Sequence, residues 1–293
     1  MTIIAILLAF ALCHFIRELS QVRKHQWLAD WIVLADDVFS KLPAWNDLTG
    51  FLLIVFLPLL ALGLVNQFLF SAFGYLGISL LAIAVLVYTF GPRDIDTQVS
   101  EIIRAPDPES RQAAMGELFR GEVPDDLAAC RAKTVEAVFS EALHRWFGVI
   151  FWFALLGVVG AFMYRIVDWL ACEKSDLTAA QKLLIVRARQ LLDWPAAQLM
   201  TLSLAIATDF DSVFIAWKRY HDEQGHGLFE GNNGFLLASA RQIVLSGHAA
   251  QDGYADQLDG PLATLKQSMD LVWRVLGVWM TVLALLLLIN VIS

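Results

Sequence analysis

This sequence is short of charge. Only 17% of its 293 residues are Asp, Glu, Lys or Arg, against about 25% in an ordinary soluble domain. It also lacks a basic stripe: its formal net charge is -8, which excludes a protein built to neutralise nucleic-acid phosphates. The three cysteines, Cys13, Cys130 and Cys172, are widely separated. They give neither a disulfide framework nor a metal signature and read as unpaired thiols. The chain contains no Gly-rich P-loop, GxSxG, HExxH or dinucleotide fingerprint, so none of the sharp catalytic motifs is available to assign an activity. His221 and His226, five apart, do not share a helical face, and no third ligand is obvious, so no metal is expected. No cofactor can be named from the sequence.

The hydrophobic residues make up 58% of the chain, and they come in long uncharged blocks. Residues 1–16 form the first, followed by Arg17, Glu18, Arg23 and Lys24. Nothing basic precedes the apolar run, so it reads as an uncleaved first span with its N-terminus outside rather than a signal peptide. Its length, about 16 residues, is slightly under the roughly 20 a span needs. Blocks 51–70 and 74–90 are also uncharged. The link between them is too short for a domain, which predicts a tight helical hairpin with Asn66 and Gln67 at the turn, reaching headgroups or water.

Segment 91–145 holds 7 Lys/Arg and 11 Asp/Glu and faces water. Its periodicity predicts two or three short amphipathic helices, with Val99, Ile102 and Ile103 on one face and Met115, Leu118 and Phe119 on another. Asp107-Pro108-Glu109 reads as an N-cap, a proline at the first helical position and a first-turn acid. The fourth block, 146–164, is interrupted by Gly157-Val158-Val159-Gly160. Polar sequence then runs to Asp270, broken by an apolar stretch at 195–208. The last block, 271–292, is long enough to span. Residues 209–220 predict an amphipathic interfacial helix, with Phe210, Val213, Phe214 and Trp217 on one face and Lys218 and Arg219 beyond it. Trp45, Trp146, Trp169, Trp273 and Trp279 lie near block edges, where interfacial anchors are expected.

Orientation leaves two topologies open. Arg17, Arg23, Lys24 and Lys41 place segment 17–50 inside, and two spans later 91–145 is inside again. A full crossing by block four would put 165–270 outside, although 173–270 holds 8 Lys/Arg. A re-entrant hairpin removes that conflict. About 11 apolar residues precede the two glycines and reach only about 16 Å, near half the hydrocarbon thickness. The expected fold is therefore an all-α polytopic helical membrane protein, with about four transmembrane helices plus a re-entrant or fifth apolar element. Its expected divisions are 1–90 (first span, cytoplasmic link, hairpin), 91–145 (polar cytoplasmic segment) and 146–293 (Gly-broken block, polar and amphipathic segment, final span).

Polar residues at the ends of the apolar blocks are the candidate site. Glu136 and Glu141, five apart, sit about 140° apart on a helix and do not cooperate. Glu141 can instead meet His144 at i,i+3 or Arg145 at i,i+4. In the re-entrant topology Arg93, Glu141, His144, Arg165, Asp168 and Asp193 lie on one membrane face, where they are expected to line one polar pocket. No catalytic residue is assigned among them.

The order of these segments resembles the AmpE family, membrane proteins encoded beside the muropeptide amidase AmpD in many Gram-negative bacteria. That family is similar to the CobD/CbiB synthases, which join an aminopropanol unit to adenosylcobyric acid. The carriers are Ser140-Glu141 leading into 147–164, Leu192-Asp193-Trp194 leading into 199–207, and Gly91-Pro92-Arg93-Asp94. Against the synthase pattern, Glu141 matches the second acid of a paired motif, but Ala142 replaces the following asparagine. Ala171 stands at an aspartate position and Gln198 at an arginine position. The resemblance implies a non-catalytic regulatory or sensory protein of the bacterial inner membrane. That protein would serve β-lactamase induction and cell-wall recycling, with the lipid bilayer and a cytosolic partner in muropeptide recycling as its contacts. The alternative it implies is a CobD/CbiB-like enzyme acting on an amphiphile at the cytoplasmic face, with Glu141, Asp168 and Asp193 as its polar groups.

Overall fold

A computed structural model describes residues 2–15, 26–41, 45, 47–90, 94–172, 177–224, 232–247 and 260–292. Arg17, Glu18, Arg23, Lys24, Arg93 and His226 lie outside the described residues, as does most of the two glycine-rich segments near 225–231 and 248–259. Among the described residues the secondary structure is helical, without strands. Three stretches are long and apolar enough to cross a membrane: Leu48–Thr89, Leu127–Cys172 and Pro261–Leu286. The chain divides into two compact units, 1–92 with 148–193, and 93–147 with 194–293.

The first unit contains α1 (Thr2–Phe15), α2 (Gln26–Phe39), α3 (Leu48–Thr89), α7 (Gly148–Cys172) and the first half of α8 (Ala179–Ala207). Both α3 and α7 double back on themselves. In α3 the non-helical residue is Gly74, with φ 59° and ψ −141°, a conformation L side chains avoid. Trp27 and Trp31, one turn apart on α2, show the reversal. Trp27 donates its indole N–H to the Tyr88 hydroxyl, while Trp31 donates to the Ile54 carbonyl at 3.1 Å. In a straight helix Ile54 and Tyr88 would be about 51 Å apart. The arms are so close at the turn that a Cβ on Gly77 would sit 2.7 Å from the Leu69 carbonyl oxygen.

α7 repeats the device. Gly157 has φ 66° and ψ −149°, and a Cβ on Gly160 would sit 2.2 Å from the Trp152 oxygen. Further down the arms, the hydroxyl end of the Tyr164 ring packs against Gly148, where a Cβ would meet its Cζ at 2.2 Å. Each glycine pair thus has the same spacing, Gly74-x-x-Gly77 and Gly157-x-x-Gly160, with the first at the turn and the second at the closest approach. The tight hairpin expected over 51–90 is present, but it turns at Gly74. Asn66 and Gln67 lie seven to eight residues earlier on the first arm, because the reversal requires φ 59° with ψ −141°, outside the left-handed helical region that Asn tolerates.

Two prolines, Pro58 and Pro195, sit inside helices of this chain, and an indole answers the first. Pro58 has no N–H to give the Ile54 carbonyl, four residues back; Trp31 supplies the donor. Near the second, the Leu192 carbonyl takes the Trp152 N–H at 3.0 Å. The unit's core joins Leu28, Ala35, Trp45, Ile54, Val55 and Leu59 with Ile166, Val167 and Leu170. Thr178 and Gln181 form a reciprocal capping box at the start of α8, with bonds of 3.1 Å and 3.3 Å. The Gln181 amide also donates to the Trp45 carbonyl at 2.8 Å.

The second unit contains α4 (Ile95–Arg104), α5 (Pro108–Phe119), α6 (Leu127–Ala142), a π-helical turn (Leu143–Phe147), α9 (Phe210–Gln224), α10 (Gly234–Leu245) and α11 (Pro261–Ile292), besides the second half of α8. Val99, Ile102, Met115 and Leu118 are buried, as their spacing predicts. Asp107 caps α5, accepting from the Ser110 N–H at 2.7 Å. That bond and the Ser110 side-chain bond hold its carboxyl below the usual aspartate range. α6 is central: Val135, Val138 and Phe139 are buried with Phe235, Leu236 and Ile243 of α10 and Leu265, Val272 and Val275 of α11. α11 begins ten residues before the apolar block at 271, and within that extension Thr264 and Ser268 turn their hydroxyls onto backbone carbonyls one helical turn back, at 3.3 Å and 2.7 Å.

The tryptophans depart from the interfacial expectation. Trp45, Trp146 and Trp279 are buried within protein. Trp45 donates to Asp36 at 2.7 Å, Trp146 packs on Trp273, and Trp279 on Phe147. Trp273 alone of this group is strongly exposed, with its N–H on Asp96 at 3.2 Å.

Candidate functional site

The sequence-predicted site residues fall into two buried polar centres, one in each unit; Arg93 lies outside the described residues.

In the first unit, Tyr164, Arg165 and Asp168 come from the return arm of the α7 hairpin. Arg189 and Asp193 come from one turn of α8. Arg165 reaches Asp168 at 2.8 Å, an i,i+3 pair. Arg189 lies between the two acids, 3.8 Å from Asp168 and 3.9 Å from Asp193. The Tyr164 hydroxyl donates to Asp193 Oδ1 at 2.6 Å. Arg165, Asp168, Asp193 and Tyr164 are each at most 5% exposed, so the charges cannot rely on bulk water and must compensate one another. Two arginines and two aspartates do so formally. The compensation is geometrically incomplete: Asp168 Oδ1, Arg165 Nε and Arg189 Nε have no hydrogen-bond partner in the protein. They form a buried acceptor beside two buried donors.

In the second unit, Glu141 ends α6 and is 3% exposed. Arg120 Nε approaches one of its oxygens at 2.7 Å and Arg145 Nε the other, also at 2.7 Å. Arg145 also donates to Gln98 at 3.1 Å. His144 is buried one turn away. One carboxylate therefore sits among two guanidiniums and an imidazole. The π-helical turn Leu143–Phe147 lies at this point, and such turns, with one extra residue per turn, recur at functional sites. Arg120 is the sole non-glycine at positive φ among the described residues, at φ 51°. It closes α5 in the left-handed region.

The i,i+4 pairing of Glu141 with Arg145 follows the sequence expectation. Four members escaped it. Arg189 could have been found from its i,i+4 spacing to Asp193. Tyr164 gives no charge signal, Gln98 is distant in sequence, and Arg120 reaches Glu141 across a loop and a helix. Glu136, set aside as a partner of Glu141, pairs with Arg241 at 2.9 Å. His221 turns its Nδ1 to the Trp217 carbonyl at 2.8 Å. Of the positions where the synthase pattern is broken, Ala142 is fully buried and Gln198 accepts from the Trp217 indole at 3.3 Å.

No family model, curated protein or solved structure matches the chain.

Proposed function

We propose that this chain is a non-catalytic regulatory or sensory protein of the bacterial inner membrane, acting in β-lactamase induction and muropeptide recycling through a cytosolic partner, as its resemblance to AmpE implies. One observation carries the non-catalytic reading. The three acids at synthase-like positions, Glu141, Asp168 and Asp193, are each engaged by this chain's own Arg120 and Arg145, Arg165, or Tyr164. An acid that must activate or protonate a substrate has to be within reach of it; each of these acids is buried and holds at least one oxygen on a partner of its own chain, as structural or switching elements do. The test is deletion of the gene in its host, followed by measurement of β-lactamase activity after exposure to a β-lactam. Altered inducibility, restored by the wild-type gene, is the expected result. Unchanged induction would remove the regulatory reading.

A second reading rests on the incomplete pairing in the first unit. Asp168 Oδ1 and the Nε atoms of Arg165 and Arg189, none of them hydrogen-bonded within the protein, offer one buried acceptor and two donors, a set able to hold the polar head of an amphiphile. This is the enzyme or ligand-binding alternative. Native mass spectrometry of the purified protein distinguishes it, since a retained small molecule that is lost in Asp168→Asn favours it. Rescue of a strain lacking the cobalamin synthase would favour it further and overturn the non-catalytic reading.

A further inference from the structure

The second unit holds a polar groove that neither buried centre uses. It lies between α6, α9 and α10 and has a volume of about 500 Å³, within the range of small-ligand pockets, about 300–1,000 Å³. We propose that it binds a small zwitterionic group, an anionic oxygen group close to an ammonium, as found in an ethanolamine phospholipid head or a free peptide. This goes beyond the regulatory reading and does not depend on it.

The groove is open because each of its three helices presents an alanine to it: Ala132 of α6, Ala216 of α9 and Ala238 of α10. Its polar wall is held in place. The Tyr220 hydroxyl donates to Asn232 Oδ1 at 3.0 Å. It also rests against the start of α10, where a Cβ on Gly234 would sit 2.0 Å from the hydroxyl oxygen. Arg241 is anchored by Glu136 at 2.9 Å through one Nη. A guanidinium carries five N–H donors, so most of that fork is left for a ligand.

The decisive pair is Arg219 and Glu223, which both line the groove. They lie i,i+4 on α9, a spacing at which opposite charges on a helix meet. Arg189 and Asp193 on α8 have the same order and spacing and come within 3.9 Å. Among the described residues Arg219 and Glu223 form neither an ion pair nor a hydrogen bond. Each therefore presents its charge to the groove.

The charge balance selects the ligand class. Two guanidiniums, Arg219 and Arg241, face two carboxylates, Glu223 and the Glu136 that anchors Arg241. The formal charges cancel. A plain anion gains at the arginines and loses at the acids, and a plain amine does the reverse; a ligand with both signs gains at both. Arginine forks match the edge of a carboxylate or phosphate, and Glu223 receives the ammonium. Two sources share this chemistry. Phe210, Phe214 and Ile215 of α9 are each 50–55% exposed, which suits a helix lying against lipid heads, while an open polar groove also suits a free peptide.

The test titrates the full-length chain in non-ionic detergent by calorimetry. The probes are short-chain phosphatidylethanolamine below its micelle concentration and glycylglycine. Short-chain phosphatidylglycerol and N-acetylglycine, which keep the anion and lack the ammonium, are their controls. Saturable binding of at least one zwitterion is expected, about fivefold tighter than its control, the upper range for a partly exposed charge pair. The zwitterion that binds identifies the source. Arg219→Gln and Glu223→Gln should each weaken binding by about the same fivefold. Ala238→Leu should abolish it by filling the groove with every charge in place. Melting midpoints verify that each variant is folded; Arg219 and Glu223 are exposed, so their variants should melt like the wild type. Failure of both zwitterions to bind would overturn the proposal. So would controls that bind as tightly as the zwitterions, or a Glu223→Gln variant that binds like the wild type.

Discussion

The indole N–H of Trp31 donates to the Ile54 carbonyl, the carbonyl that Pro58 deprives of its helical partner. The proline and the tryptophan are therefore one feature separated by 27 positions of sequence. Pro58 removes a donor from the middle of a helix, and α2 returns one from outside. Ile54 is fully buried, so water is a poor substitute. Trp31→Phe should leave an unsatisfied buried acceptor and cost about 1–3 kcal/mol. Pro58→Ala in the same chain should recover most of that loss. Thermal unfolding in detergent checks both, and equal damage from the single and double variants would show that the bond carries no weight.

Tyr164 and Gly148 form a second coupled pair, because the ring occupies the space a side chain at 148 would fill. Gly148→Ala should therefore destabilise by about 1–3 kcal/mol through overpacking. Tyr164→Phe keeps the ring but removes the donor to buried Asp193, at a cost of about 1.5–3 kcal/mol for a bond to a charged group. Tyr164→Ala should make Gly148→Ala nearly harmless, a non-additivity of the kind seen for residues in contact. Additive losses in the detergent melt would mean that the arms do not meet at this point.

Much of the fold was legible because local rules govern it. Uncharged blocks separated by three residues make a hairpin, and Asp107-Pro108-Glu109 starts a helix. The missing parts depend on partners far away in sequence. Gly74, not the polar Asn66-Gln67, makes the turn, since the decisive property is a backbone angle rather than polarity. Helix α10 was unmarked: it lies between two glycine-punctuated segments, 225–234 and 247–260, and no element was expected there. Trp45 looked like an anchor, yet the Asp36 carboxylate that receives its N–H draws it into the core. In the site, i,i+3 and i,i+4 ion pairs could be read from spacing, whereas Arg120 and Tyr164 required the tertiary fold.

Glu141 is the charge that both Arg120 and Arg145 share. Glu141→Gln should leave guanidinium charge facing a neutral amide and cost about 3–5 kcal/mol, the range for breaking a buried pair. Arg120 has a side chain 48% exposed, so Arg120→Ala should cost no more than about 1 kcal/mol. Arg120→Gly should be the more stable of the two by about 1 kcal/mol, because glycine relieves the left-handed backbone. Denaturation midpoints for the three variants test the ranking. Arg120→Gly falling below Arg120→Ala would show that φ 51° is not a strained position.

Asp107 gives a pH dependence with a definite sign. Its folded carboxyl is held below the ordinary value by the Ser110 N–H and hydroxyl. The cap's contribution is therefore fully present above the unfolded value of about 3.9 and is lost as pH falls through the lower folded value. Amide exchange at Ser110 should lose protection in that acid window. Asp107→Asn, which keeps an acceptor but no titrating group, should abolish the change. Protection that varies with pH in Asp107→Asn as well would assign the transition to another group.

Cys172 reports where the α7 hairpin ends. It follows the return arm and is exposed, whereas Cys130 is buried and will label poorly from either side. A return arm that meets Arg165 about 12 Å past its apex cannot bury that charge near the far headgroups without cost, since ionised groups within hydrocarbon are expensive unless paired and sheltered. Arg165 is both paired and sheltered here, and the re-entrant topology would put it back near the face of entry. Cys172 should then lie on the same face as the polar helices α4 and α5. The measurement uses Cys172 as the sole native thiol, with Glu109→Cys on α5 as a separate single-cysteine reporter of that face. A membrane-impermeant maleimide should label both in inverted vesicles and neither in sealed spheroplasts. Labelling of Cys172 in spheroplasts with Glu109→Cys protected would mean that the segment crosses. In that case the Arg165–Asp168–Arg189–Asp193 cluster would stand at the opposite membrane face from α5.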